Sequence, residues 1–421
     1  MQWLRLFRTN PAHVGAQLRA AGPFQYPTIA SMYLEIVFAL TLGLLALAVG
    51  AGRYARAVAI AMALILISEA ITLTFTRAGF ITMVSSLAIV SALSIRTHGV
   101  DRRLLAFAVV AVLVGLQFGT ARSIESLRLR LTTEGQEAWY HATIDAPADV
   151  DLSTGGVVRV PITVTNVGYS SWDPQAANPF RLSYHWLLPD ADRVVSWEGA
   201  RTEFPSIVRP GDSVDLTAEV VAPRQPGRYR LMWDIEQEHR LWFSTEPDAE
   251  VFMSRAVVSG PAAAAIDPSQ LPALPRRSIR PGRRVLWGAA RQMVEDHPGL
   301  GVGPDNFRLR YGEYAQLPGA DTRVHANNMY LEVLAGGGVV LALPFLWLIG
   351  AAAARTLALA RRPGEAGPQA ITWGVIAAVA AIGLHGLVDS FLSFTSTYIL
   401  MAMAIGLVVA SDRLDIHAHR V

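Results

Sequence analysis

In "RVHANNMYLEVLAGGG", residues 323–338, an arginine, a histidine and two asparagines stand directly in front of an apolar run. His325, Asn328 and Glu332 are spaced by three and four, so they share one face if a helix begins early enough. Asn327 or Asn328 is placed to cap that helix. An imidazole titrates near neutral pH, and a guanidinium such as that of Arg323 is a planar fork matched to phosphate. Proton transfer and anion binding are the chemistries this set offers.

Four other segments carry polar groups beside apolar runs. "TFTRAGF" puts Arg77 at the end of one, where the bland alternative is a side chain snorkelling to lipid headgroups. "RAAGPFQYPTIASMYLE" sets Arg19 before a Gly-Pro turn and Glu35 about two turns inside the next run. "WGAARQMVEDHPGLGVGPDNF", residues 287–307, reads as an amphipathic helix ending at His297-Pro298, then a glycine-rich turn carrying Asn306. Those glycines offer N–H groups to an anion, but without a lysine and a suitable following helix this is no nucleotide loop. In "GLHGLVDSF", His385 and Asp389 are four apart and share a face, with pairing to each other the simpler reading.

The elements that must position these residues are mostly apolar. Of 421 residues, 52% are hydrophobic and only 17% charged, against roughly a quarter charged in soluble proteins. A spanning helix needs roughly 20 apolar residues. Seven stretches approach this: about 29–50, 57–75, 79–95, 104–120, 328–350, 371–391 and 394–411. Arg53 and Arg56, then Arg96, Arg102 and Arg103, then Arg355, Arg361 and Arg362, and finally Arg413 fall on one side if the spans alternate. The positive-inside rule makes that side cytoplasmic. Residues 121–327 and the first 27 are then outside, and Arg5, Arg8 and Arg19 sit there against the rule. Either a span is missing or those charges serve an anion at the outer face. No cleavable signal peptide is visible. The absence of cysteine excludes disulfides and thiol chemistry. A net charge of +2 gives no reason to expect a nucleic-acid partner. Every basic residue is arginine.

Between 138 and 258 the pattern changes to period-two alternation, as in "GGVVRVPITVTNVG" and "GRYRLMWDIEQEHRLWFS". Roughly seven or eight short strands are expected, arranged as an immunoglobulin-like sandwich. Trp172, Trp186, Trp197, Trp233 and Trp242 suggest carbohydrate stacking. Trp is largely buried on average, which favours core positions. The expected architecture is a polytopic α-helical membrane protein with an inserted extracytoplasmic all-β domain. Its parts are a membrane half over 1–120, a connector over 121–137, the β-domain over 138–258 and a Pro/Ala/Arg linker over 259–282. An outer-face loop over 283–327 and a second membrane half over 328–421 complete it.

Taken in order among the spans, "GPFQYPTIASMYL", "TFTRAGF", "HPGLGVGPDNF", "HANNMYLEVLAGGGVV" and "HGLVDSF" resemble the O-antigen ligase and polysaccharide polymerase superfamily of bacterial membrane glycosyltransferases. The resemblance covers roughly 19–120 and 283–411 and leaves the β-domain uncovered. It implies transfer of a glycan from an undecaprenyl-diphosphate carrier to an acceptor hydroxyl of a glycan or lipid, at the outer face of the cytoplasmic membrane. It implies neither nucleotide sugar, cofactor nor metal. Arg77 matches the family's "T-x-S-R" arginine, with Thr76 in place of the more usual serine. His325 matches the histidine of its H-x-x-N stretch, the proposed general base. Cations would then stabilise the departing diphosphate. Arg19, Arg323, Asn328 and Asn306 are expected to bind diphosphate or glycan, with Glu332, His385 and Asp389 in support. The glycines at 336–338 depart from the commoner Glu-x-Gly pattern, which bears on helix packing. The family generally has about a dozen spans, so the resemblance also implies an incomplete chain or a separate chain supplying the others.

Two other classes compete. A non-catalytic surface protein would use the β-domain to bind a partner and the spans only as an anchor. A transporter would carry ionisable groups near the midplane and paired broken helices, whereas only Glu69 approaches such a position.

Overall fold

The computed structural model describes residues 12–418, apart from 16, 122–123, 134–137, 191–192, 247–248, 262–266, 276–280, 318–319 and 362–365. Arg5, Arg8 and Arg362 lie outside the described residues. The chain divides into two compact units, Met1–Leu131 with Pro281–Val421, and Thr132–Arg280.

The first unit opens on a two-stranded hairpin, β1 (His13–Val14) and β2 (Gln17–Leu18). Four helices follow: α1 (Pro27–Gly50), α2 (Tyr54–Leu73), α3 (Arg77–His98) and α4 (Arg102–Ala121). Pro27 starts α1 because its fixed φ suits the first turn and its missing N–H costs nothing there. After the short α5 (Glu125–Thr132) the unit resumes with α6 (Arg283–Asp296), α7 (Phe307–Tyr314), α8 (Met329–Arg361), α9 (Ala366–His385) and α10 (Thr395–Ala418). Among the described residues, α1 to α4 and α8 are long and apolar enough to cross a membrane. Of the other two expected spans, α9 and α10 provide shorter apolar helices over Gln369–His385 and Thr395–Ala410. Helix α9 lies directly on α1, because Gly43 and Gly374 present no side chain. A Cβ on Gly43 would stand 2.7 Å from the Ala370 carbonyl oxygen. Small residues at such a crossing let backbones approach where lipid supplies no hydrophobic drive.

Helix α8 is broken. Gly338 has φ +58°, outside the helical region, and the chain there meets the turn after α6. Val302 and Gly303 donate to the carbonyls of Ala335 and Gly336, and Val339 and Val340 donate to those of Pro298 and Gly299. The break frees groups that the glycine-rich turn satisfies. The N–H groups of Gly301 and Gly303, offered to an anion on the sequence reading, are thus used on the His297 and Gly336 carbonyls. The break also gives the "GGG" segment a purpose, since a Cβ on Gly338 would fall 2.2 Å from the Gly299 oxygen.

The second unit contains two sheets, with ten strands among its described residues where seven or eight were expected. In the first, β4 (Asp149–Ser153), β12 (Phe252–Ser259), β10 (Gly227–Gln237), β6 (Phe180–Leu187) and β7 (Val194–Ser196) lie in that order. The short β8 (Thr202–Glu203) pairs with β6, and β11 (Leu241–Trp242) with β10. The second has β3 (Ala142–Asp145), β5 (Val157–Asn166) and β9 (Ser213–Val221). Alternation puts Val160, Ile162 and Val164 of β5 on the inner face. Trp186 of β6 donates to the Val221 carbonyl, and the Val221 N–H donates to the Tyr184 hydroxyl. The two sheets therefore face each other. Trp172, Trp186 and Trp233 are core residues, while Trp197 and Trp242 are half-buried.

Candidate active site

Four stretches of sequence meet at one end of the helical unit. Arg19, just before α1, donates to the Thr74 carbonyl (2.7 Å) and the Thr76 hydroxyl (3.2 Å) between α2 and α3. Arg77 is the first residue of α3, next in sequence to that hydroxyl. The N-terminus of α8 is seated on the turn that follows α9: the Met329 N–H is shared by the Gly386 and Asp389 carbonyls.

The loop carrying His325 is held on several sides. Leu286, Met293, Phe307 and Tyr311 form a small core under it with Ala326. Trp287 donates to the Ala326 carbonyl (3.0 Å), and Tyr311 to that of Asp321 (3.0 Å). Glu332, one turn into α8, accepts the Ala326 N–H on Oε2 (2.7 Å) and faces His325 Nδ1 with Oε1 (3.2 Å). A carboxylate only accepts, so Nδ1 carries the proton and Nε2 is left for other work. Asn328 caps the helix through the N–H groups of Tyr330 and Leu331. His325 and Asn328 thus precede α8 and do not share a helical face with Glu332, contrary to the spacing argument. A fold-back of the loop, with Asn327 at φ +50°, makes the contact instead.

Burial alone pushes His325 down, but the hydrogen bond and charge of Glu332, helped by Asp305, outweigh it. The net effect is a raised pKa, with Arg308 opposing. Phe394 lies edge-on to the imidazole (6.1 Å between centroids), and Tyr26 lies 5.9 Å from Phe394. Arg19 is lowered to about 9 by burial and by the like charge of Arg130, with Asp389 opposing. The Asp389 carboxyl is pushed up by burial, with His385, the Ser390 N–H, Arg283 and His325 opposing. Asp389 therefore lies within electrostatic reach of both Arg19 and His325.

The other expected site residues are placed differently. Arg323 is exposed and forms an ion pair with Asp321 (2.8 Å). Asn306 turns its amide onto the Val302 carbonyl (2.9 Å), inside the glycine-rich turn. His385 and Asp389 do not share a helical face, because α9 ends at His385. The Asp389 N–H caps the His385 carbonyl (3.0 Å), and the partner of the imidazole comes from another helix. The ring meets both oxygens of Glu35 in α1, at 2.9 Å each, and Thr82 of α3 donates to the same carboxylate (2.6 Å). Glu35 was visible in the sequence as an acid inside an apolar run, but its partner was not, lying 350 positions away.

This end of the bundle defines a class before any family: a helical membrane protein with a histidine–carboxylate pair beside arginines. Residues 265–346 match the family model described as O-antigen ligase, which bears out the resemblance to the ligase and polymerase superfamily. Membrane enzymes of the ligase or polymerase type are what that family contains. A search of curated proteins found no match. Solved structures with some likeness include the CARDB domain of a Pyrococcus furiosus protein, at 16% identity and TM-score 0.18, covering 28% of this chain and 92% of that one. PapD-like domain 7 of human CEP192 has 13% identity and TM-score 0.17, covering 31% and 92%. A β-glucosidase from Listeria innocua has 13% identity and TM-score 0.17, covering 29% and 16%.

Proposed function

We propose that this protein is a membrane glycosyltransferase of the O-antigen ligase type. It transfers a glycan from an undecaprenyl-diphosphate carrier to an acceptor hydroxyl at the outer face of the cytoplasmic membrane. On this reading α9 and α10 complete seven spans, and the two-sheet unit is an extracytoplasmic immunoglobulin-like domain. Neither a metal nor a nucleotide sugar takes part.

The observation that carries the reading is the His325–Glu332 pair at the bundle end shared with Arg19 and Arg77. His325 Nε2 accepts the proton of the acceptor hydroxyl, whose oxygen attacks the anomeric carbon. The bond from that carbon to the phosphate oxygen breaks, and undecaprenyl diphosphate leaves. Glu332 holds the ring through Nδ1–H and stabilises the imidazolium that forms. Negative charge gathers on phosphate oxygens, where arginine forks are the strongest donors available. Arg19, disfavoured as a cation by burial and Arg130, is relieved by an anion placed beside it. Tyr26 and Phe394 give the transferred sugar an aromatic wall. The polymerase alternative shares this chemistry and differs in the acceptor.

The test is a transfer assay on the full chain in proteoliposomes with a lipid-diphosphate-linked glycan. Loss of transfer in His325→Ala and Arg77→Ala, with both variants folded, supports the enzyme. No transfer by the wild-type chain favours a membrane-anchored surface protein, and transfer at the wild-type rate in both variants would detach His325 and Arg77 from the reaction.

A further inference from the structure

The turn after α9 is unusual in how its carbonyls are spent. Gly386 and Asp389 accept the Met329 N–H, Leu387 accepts the Asn328 amide (3.0 Å) and Val388 accepts the Arg283 guanidinium (3.2 Å). One turn earlier, the Gly383 carbonyl accepts the Tyr330 hydroxyl (3.0 Å). Four consecutive carbonyls therefore dock the start of α8, which carries Glu332, and the start of α6, whose Trp287 holds the loop of His325 through the Ala326 carbonyl.

A buried pair lies at the helix end that leads into this turn. Glu35 and His385 are 0% and 1% exposed. A buried carboxylate among apolar helices is costly unless it is paired and hydrogen-bonded, and here it binds an imidazole from α9 and a hydroxyl from α3. Helices α1 and α3 are also the ones that follow Arg19 and begin at Arg77. Local helix packing already exists at Gly43 and Gly374, about two turns deeper along α1 and some three turns before His385. A buried ion pair is not needed for stability at such a crossing, since an apolar pair of the same volume serves as well.

We propose that Glu35 and His385 are positioning residues for the transfer reaction. Through the 386–389 turn they set the place of the His325–Glu332 pair relative to Arg19 and Arg77. This rests on the proposed function and adds to it a control that neither residue exerts by touching substrate. Because the group they place is the base, its misplacement lowers the rate of the chemical step more than donor affinity.

The experiment is steady-state transfer by the full chain in proteoliposomes, with kcat and donor KM for Glu35→Gln, His385→Gln, the double variant, Glu35→Asp and Thr82→Val. His325→Ala is run beside them. Each single amide variant is expected to lose about tenfold or more in kcat, with donor KM within about twofold. The double variant is expected to be no worse than either single, because the two act as one unit. Glu35→Asp, which keeps the charge, is expected to recover to within about threefold, and Thr82→Val to lose about as much. Wild-type kcat in both single variants, with His325→Ala inactive, overturns this inference and leaves the function standing. A His325→Ala variant at the wild-type rate overturns His325 as the base, and absence of transfer by the wild-type chain overturns the function itself. If the amide variants fail to accumulate while Glu35→Asp and Thr82→Val both keep wild-type kcat, the pair is structural only and the inference falls.

Discussion

Two histidine–carboxylate pairs lie near the same end of the helical unit, built from the same groups but differently surrounded. His325 sits on a half-buried loop and Glu332 in the first turn of α8, with Asp305, Arg308 and Phe394 around them. His385 and Glu35 are walled in by helices α1, α3 and α9. The difference is access. A base needs one ring nitrogen free to meet a substrate proton, and the loop leaves Nε2 of His325 in that position. The walled-in pair has no such opening and is suited to holding helices in register. The β unit has a third pair, His185 with Asp234 (3.0 Å). Its ring is stacked on Trp197 and its other nitrogen faces the Trp197 carbonyl, so it belongs to that unit's packing.

Substitutions around the accessible pair should have the largest effects. Arg77→Ala is expected to lower the transfer rate by about a hundredfold, because charge gathering on the diphosphate loses a strong donor. Initial rates at saturating donor would measure it, and a loss under threefold would detach Arg77 from the reaction.

Glu332→Gln is expected to cost about tenfold and to move the pH profile. In the wild type His325 is raised by Glu332. Below that raised value the ring is protonated and cannot accept, so the rate climbs with pH and levels off above the ordinary histidine range. With Glu332 neutralised, burial is left to lower the ring, and the acid limb shifts to lower pH while the plateau drops. A limb that stays in place would show that another group controls it.

Arg19→Ala should act on binding more than on turnover, raising donor KM several-fold with kcat little changed. Unchanged donor affinity counts against a place for Arg19 at the diphosphate.

Gly338→Ala probes the frame beneath the accessible pair and should affect rate least per folded molecule. At φ +58° and ψ −162° a residue with a Cβ is strained by roughly 1–3 kcal/mol, and the close Gly299 oxygen adds to it. A lower thermal midpoint in detergent, with kcat of the surviving protein nearly normal, is expected. An unchanged midpoint would show that the α8 break tolerates a side chain.

The apolar runs were legible because a span is a local, compositional signal, and so was the change to period two near residue 138. Helix α6 and its end before His297 could also be read, from amphipathic spacing and His-Pro punctuation. The break at Gly338 could not, since glycine is tolerated within membrane helices and only the 298–303 turn makes a break worthwhile. For His325 and Glu332 the residues were right and the geometry wrong: spacing of seven suggested a helix face, where a folded loop makes the bond. Glu35 with His385 was beyond reach, because a pairing across 350 positions leaves no local trace.

The most direct test is chemical rescue in the transfer assay, with His325→Ala and His385→Ala each measured with and without added imidazole. The account predicts that His325→Ala falls to about a thousandth of the wild-type rate and gains rate in proportion to free imidazole, while His385→Ala gains nothing. A His325→Ala variant that transfers glycan at more than about a tenth of the wild-type rate without imidazole would contradict it, since a proton acceptor is worth at least a hundredfold.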